Sequence, residues 1–313
     1  MHELTARYGV DFATAVLYDR VKRSPRHARF IEQIDESQQR DRPNRSARDP
    51  IILIVPAAFY KEKPHSGADG RVIAEAATRM GFRCELIPLL STGTLAENSG
   101  ILRDWLGRHR TEKTILISVC KGGADVKVAL NTLDAEPRFA NVLAWVNICG
   151  TLSGSPFAEW MLATKPRFFA AWLFCKCGGH NFQFLQEIVP SRAGPLSAPI
   201  RLPPEMDLIN VVGFPLRKHL SNGFMRRCHK FISQHGPNDG GVLLADLCHL
   251  PGLIYPVWGA DHYLRPEARA GRIITAVLDY ITNGLAQAAT ARSPQELCLA
   301  TETPAIDQIA RMS

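Results

Sequence analysis

The chain lacks the features by which several large protein classes are recognised. No stretch of its 313 residues approaches the roughly 18 consecutive apolar residues of a membrane span. The stretch MHELTARYGVDFATAVLYDRVKR has no basic region followed by an apolar core, so no secretory signal is expected. There is no G-x-G-x-x-G turn and no phosphate-binding loop, and nothing resembles a nucleic-acid module. Internal repeats and low-complexity tracts are absent. Eight cysteines lie scattered, without the spacing of a small disulfide framework. The nearest approach to a metal motif, Cys175-x-Cys177 with His180, fits no standard zinc pattern and has no evident fourth ligand. A cytoplasmic protein with reduced thiols, and with no metal and no cofactor, is the expectation. The formal charge of +7 is modest; it speaks against an acidic solvating chain and only weakly for anionic partners.

What is present suits a packed α/β protein. Hydrophobic residues make up 46% of the chain. Residues 11–23, DFATAVLYDRVKR, read as a helix capped by Asp11, and 37–50 as a polar linker with two prolines. From residue 50, short apolar runs alternate with amphipathic segments. The runs are IILIV (51–55), CELIPLL (84–90), TILISV (114–119), VLAWVNI (142–148), LINVVGF (208–214) and LIYPVW (253–258). Continuous apolar strands separated by helices predict a mainly parallel, doubly wound sheet covered on both faces. Residues 149–207 are too long for a simple crossover and predict an inserted cap, at about 151–206. The expected division is an extension over 1–49, one domain over 50–290 and a tail over 291–313.

The third run leads into LISVCKGG (116–123), a strand that turns through glycines into a helix. That is the setting of a nucleophile elbow, G-x-S-x-G, with Cys120 in the central place and Ser118 in the first. Cys120 is the candidate nucleophile, against the plainer reading of a packed cysteine, and Ser118 an outside alternative. A nucleophile of this kind needs a base and a group to orient the base. In doubly wound sheets such residues gather at the carboxyl ends of the strands. His262 follows the last run in WGADHYLRP, and Asp239 lies in the HGPNDGGVLL loop after the fifth. Asp239 also suits a simple turn, and Asp246 is its rival as acid. His65, His235 and His249 read as surface or loop residues.

At these positions the sequence resembles bacterial lipases of the α/β-hydrolase superfamily. SVCKGGAD looks like their His-Ser-x-Gly-Gly elbow, and GTLSGSPFAEWM (150–161) is similar to their Gly-Ser-Pro-x-Ala-Asp stretch. GPNDGGVLL resembles their acid loop and ADHYL their histidine loop. The resemblance covers residues 50–285. It implies an α/β-hydrolase fold with Cys120 as nucleophile, Asp239 as acid and His262 as base. It also implies an oxyanion hole formed by the backbone N–H groups of Lys121 and Ala58. Cysteine replaces the family's serine, and Pro56-Ala57 replaces its His-Gly. No counterpart of the lipase calcium ligands is evident around His262.

A thiol ionises more readily than a hydroxyl, and its acyl-enzyme is a thioester. Dienelactone hydrolases and polyhydroxyalkanoate synthases are similar in carrying cysteine at this elbow. The expected function is therefore an acyl hydrolase on esters or thioesters. Two alternatives stay open: an acyltransferase to an alcohol or amine, and a hydrolase-fold binding protein without turnover. RFFAAWLF (167–174) suits either a lid over an acyl pocket or a buried helix. Arg217, Lys218, Arg226, Arg227 and Lys230 form an acid-free run, either a solvated face or a docking patch for an acyl carrier protein or coenzyme A.

Overall fold

The computed structural model describes residues 1–39, 48–63, 66–220, 222–247 and 249–291. Most of the polar linker, His65 and all of the tail beyond residue 291 lie outside the described residues. Three helices, α1 (His2–Tyr8), α2 (Val10–Lys22) and α3 (Ala28–Ser37), precede the sheet. The sheet then alternates with helices: β1 (Arg48–Val55), α4 (Arg71–Arg79), β2 (Phe82–Leu86), α5 (Leu95–Arg108) and β3 (Thr114–Val119). It continues with α6 (Lys121–Leu130), α7 (Ala135–Phe139) and β4 (Val142–Ile148). Three helices, α8 (Pro156–Leu162), α9 (Lys165–Cys177) and α10 (Gln183–Glu187), occupy the long segment before β5 (Asp207–Phe214). The described residues end with α11 (Gly223–Ile232), α12 (Leu244–Leu247), β6 (Leu253–Trp258) and α13 (Glu267–Ala291).

All five strand pairings are parallel, in the order β2-β1-β3-β4-β5-β6. Alternate residues of each strand feed opposite faces, as the two-residue period of a strand requires. Ile52 and Ile54 join Ile117, Val146 and Val211 under α3, α4 and α13. Leu53 and Val55 join Leu116, Trp145 and Val212 under α2, α5 and α6. Both faces are thus buried, which is why the strands read as unbroken apolar runs. The order reverses between β1 and β3, so the loops at their carboxyl ends diverge and leave a crevice.

Two sequence expectations need correction. The second strand ends at Leu86, not residue 90, because Pro88 has no N–H to extend the ladder. Asp11 does not cap its helix. Gly9, at φ 86°, both ends α1 and starts α2, since glycine alone adopts that conformation without strain. Asp11 instead accepts the Arg217 N–H at 3.0 Å, tying α2 to the loop after β5. Leu17 and Val21 of α2 enter the core beneath β5 and β6. Among the described residues no helix is long and apolar enough to cross a membrane.

Candidate active site

β3 ends fully buried at Val119, and Cys120 turns the chain straight into α6 with φ 50° and ψ −118°. Such a backbone costs a non-glycine residue about 1–3 kcal/mol and persists only where its surroundings enforce it. Here the Cys120 N–H donates to Ile148 O at 3.0 Å, and the Cys120 carbonyl accepts from Gly123 and Thr151, each at 3.0 Å. Gly122 lets β1 come close: a Cβ there would meet Val55 O at 2.6 Å and Pro56 O at 2.7 Å. The turn lifts the half-buried Cys120 side chain to the edge of the sheet. Its thiol lies beside the His262 ring and the Lys121 N–H, and 4.0 Å from Thr151 Oγ1.

His262 and Asp239 arrive from two other strand ends. Asp239 Oδ1 accepts the N–H groups of Gly241 and Val242 at 2.8 and 2.9 Å, closing the Pro-Asn-Asp-Gly-Gly turn on itself. That leaves Oδ2 free to meet His262 Nδ1 at 2.9 Å. The His262 N–H also donates to Asp239 O at 3.0 Å. The imidazole lies on bare Gly241, where a Cβ would approach Nδ1 to 2.5 Å. Asp239 and His262 are both buried. Burial pushes the Cys120 thiol up, but the charge of His262, its hydrogen bond and the Lys121 N–H outweigh it, and the net direction is downward. For His262 burial works downward, and the charges of Asp239 and Cys120 hold it well above the ordinary imidazole range. Both directions favour a thiolate beside an imidazolium.

No protein-family model and no curated protein matches the chain in sequence. Solved structures do resemble it. A metagenomic carboxyl esterase aligns with a TM-score of 0.59 at 21% identity, over 76% of this chain and 77% of its own. A Bacillus licheniformis lipase in its mature form aligns with a TM-score of 0.50 at 18% identity, over 77% of this chain and 91% of its own. The chain has the α/β-hydrolase fold. The expected mainly parallel, doubly wound sheet of that fold is therefore borne out, and Cys120 occupies the strand–helix turn where α/β-hydrolases carry their elbow.

The other candidates separate clearly. Asp246, on α12, is not the acid that reaches His262. Ser118 is fully buried, with its hydroxyl between Trp145 Nε1 at 2.8 Å and Asn147 Oδ1 at 3.2 Å. His235 and His249 are exposed. Ala57 and Phe59 spend their N–H groups on Ala68 O and Ser91 O, whereas the Ala58 N–H donates to no group among the described residues. Cys175 is buried in the packing of α9 and Cys177 is exposed, while His180 packs edge-on against Phe59. Arg217, Lys218, Arg226, Arg227 and Lys230 are all exposed. The reading of RFFAAWLF as a buried helix fails, because α9 buries only Ala171 and Cys175.

Three features escaped the sequence reading. Cys149, at φ 45° on the end of β4, puts its buried thiol within 4.8 Å of ligand atoms of Asp239 and His262. Burial and the Asp239 charge push that thiol well up, so it stays protonated beside the pair. Lys121 turns its side chain inward to Asp125 Oδ1 at 2.7 Å, and Asn98 Nδ2 donates to the other carboxylate oxygen at 3.2 Å. Lys127, also buried, donates to Leu152 O and Leu196 O at 2.7 Å each and pins the long segment before β5 to α6. The four-residue spacing of Lys121 and Asp125 was the available signal for the second of these.

Proposed function

We propose that the protein is an acyl hydrolase acting on esters or thioesters in the cytoplasm. Cys120 is its nucleophile, His262 its acid and base, and Asp239 the group that orients His262. The observation that carries this reading is a strained, half-buried thiol beside an imidazole whose Nδ1 meets a buried carboxylate at 2.9 Å. The carboxyl esterase and lipase that share the fold support ester chemistry.

In this reaction the Cys120 thiolate attacks the acyl carbon, and a carbon–sulfur bond forms. The developing oxyanion takes the Ala58 N–H and the Lys121 N–H, which the sulfur releases as its charge is lost. As the bond to the leaving alcohol or thiol breaks, the imidazolium gives it a proton. The thioester that remains is cleaved by water, which His262, now neutral, deprotonates. Asp239 keeps the Nδ1–H and so leaves Nε2 for both transfers. Intact-mass measurement after exposure to activated acyl esters and thioesters is expected to show one added acyl group, mapped to Cys120. Turnover without any adduct on Cys120, even under rapid quenching, contradicts the reading.

The ion pair sets the pH dependence. The thiol has a lowered pKa, so the thiolate exists above that value and is lost as pH falls through it. The imidazolium has a raised pKa, so it exists below that value and is lost as pH rises through it. Hydrolysis is therefore expected to follow a bell between the two. Iodoacetamide is expected to alkylate Cys120 well below about pH 8.5, where an ordinary thiol ionises. Cys84 and Cys175, whose thiols burial pushes up, should lag behind it. Equal rates at these cysteines across the pH range would remove the ion pair from the mechanism.

A further inference from the structure

α9 breaks the rule for a surface helix. Ala171 and Cys175, one turn apart, are its buried stripe. The opposite stripe runs through Phe169, Leu173 and Cys177, where polar residues belong on a helix facing water. Phe169 is 58% exposed, Phe174 55% and Leu173 42%. α8 packs against both α9 and α11. Phe157 of α8 meets Phe224 of α11 edge-on at 5.8 Å, and Phe224 is itself 59% exposed. Large apolar side chains left this exposed along one helix mark something it touches.

The charge around it identifies what. α9 carries Lys165, Arg167 and Lys176 and no acid; α11 carries Arg226, Arg227 and Lys230 and no acid. Arg167 stacks on Trp160 at 4.5 Å, Lys176 on Trp172 at 4.8 Å, and Lys63 stands over Phe224 at 5.9 Å. The exposed acid on α8 is Glu159. A two-fold dimer through this face would set like charges against like, because both copies present the same patch. Aromatic side chains interleaved with lysine and arginine instead match a sheet of apolar chains under negative head groups. We propose that α9 seats the protein on an anionic phospholipid surface. The helix lies in the interface, with Phe169 and Leu173 among the acyl chains and Trp172 at head-group depth. The seat is independent of the chemistry at Cys120.

Co-sedimentation of the full chain with vesicles tests this. Binding is expected to phosphatidylcholine vesicles that contain phosphatidylglycerol, and only weakly to phosphatidylcholine alone, with salt reducing it. K165E/K176E should weaken binding by about fivefold or more per residue. F169S/L173S should weaken it more than about tenfold. Both variants should keep the parent's melting temperature, and its rate on a soluble short-chain ester where the parent has one. Equal binding to both vesicle types, no binding by the parent chain, or unchanged binding by F169S/L173S overturns the proposal. So does a dimer, seen by light scattering, that F169S/L173S dissociates while the parent ignores vesicles; the face would then belong to a second copy.

Discussion

Replacing Cys120 with alanine is expected to lower hydrolysis by at least about a thousandfold and to abolish the acyl adduct. Removing a covalent nucleophile leaves only binding and the oxyanion donors. The fold should survive, because the change deletes one sulfur atom. The elbow is held by backbone bonds from Cys120 to Ile148, Gly123 and Thr151, and alanine keeps all of them. A circular-dichroism melt close to the parent's checks that point. His262 offers a second readout. Part of what raises its pKa is the Cys120 thiolate, so in Cys120→Ala the imidazole should titrate lower, with Asp239 still holding it up. Proton NMR of the ring follows this without any substrate. Cys120→Ser should fall between the two: a hydroxyl fits the elbow but does not ionise beside His262, so ester hydrolysis drops while sensitivity to iodoacetamide disappears. Full hydrolysis by Cys120→Ala would move the chemistry away from this elbow.

The strands were legible because burial on both faces writes them as apolar runs. β3, β4 and β6 have the bounds of TILISV, VLAWVNI and LIYPVW. β2 was misjudged where Pro88 cuts the ladder inside a run that stays apolar. The site was legible in outline, since Cys120, Asp239 and His262 each follow a recognisable strand. Their meeting depends on the pairings β3–β4, β4–β5 and β5–β6, which chain order alone does not contain. Lys121 shows a different limit. A lysine at a helix start reads as solvent-facing, but here Asp125 and Asn98 provide a buried acceptor network. α9 misleads in the other direction. Its composition reads as core, yet its outward stripe has no partner within the described residues.

Asp239→Asn is expected to lower turnover by roughly ten-thousandfold while the protein stays folded. The surroundings of Asp239 decide how the amide sits. Gly241 and Val242 both donate to Oδ1, so the amide oxygen must take that place; an NH2 group there would face two donors. The NH2 group then points at His262 Nδ1, where Oδ2 stood at 2.9 Å. It can only donate, so Nδ1 must become the acceptor and the ring proton moves to Nε2. His262 then presents a proton, not a lone pair, to Cys120 and to the attacking water. The ion pair is lost with it, because Asp239 is the largest influence holding the imidazole pKa up. Alkylation of Cys120 should shift toward the pH of an ordinary thiol, a change that a purely structural role for Asp239 would not produce. KM should move little, since no substrate contact is removed. Turnover within about tenfold of the parent, with an unshifted alkylation profile, would mean that Asp239 closes its turn and does nothing for His262.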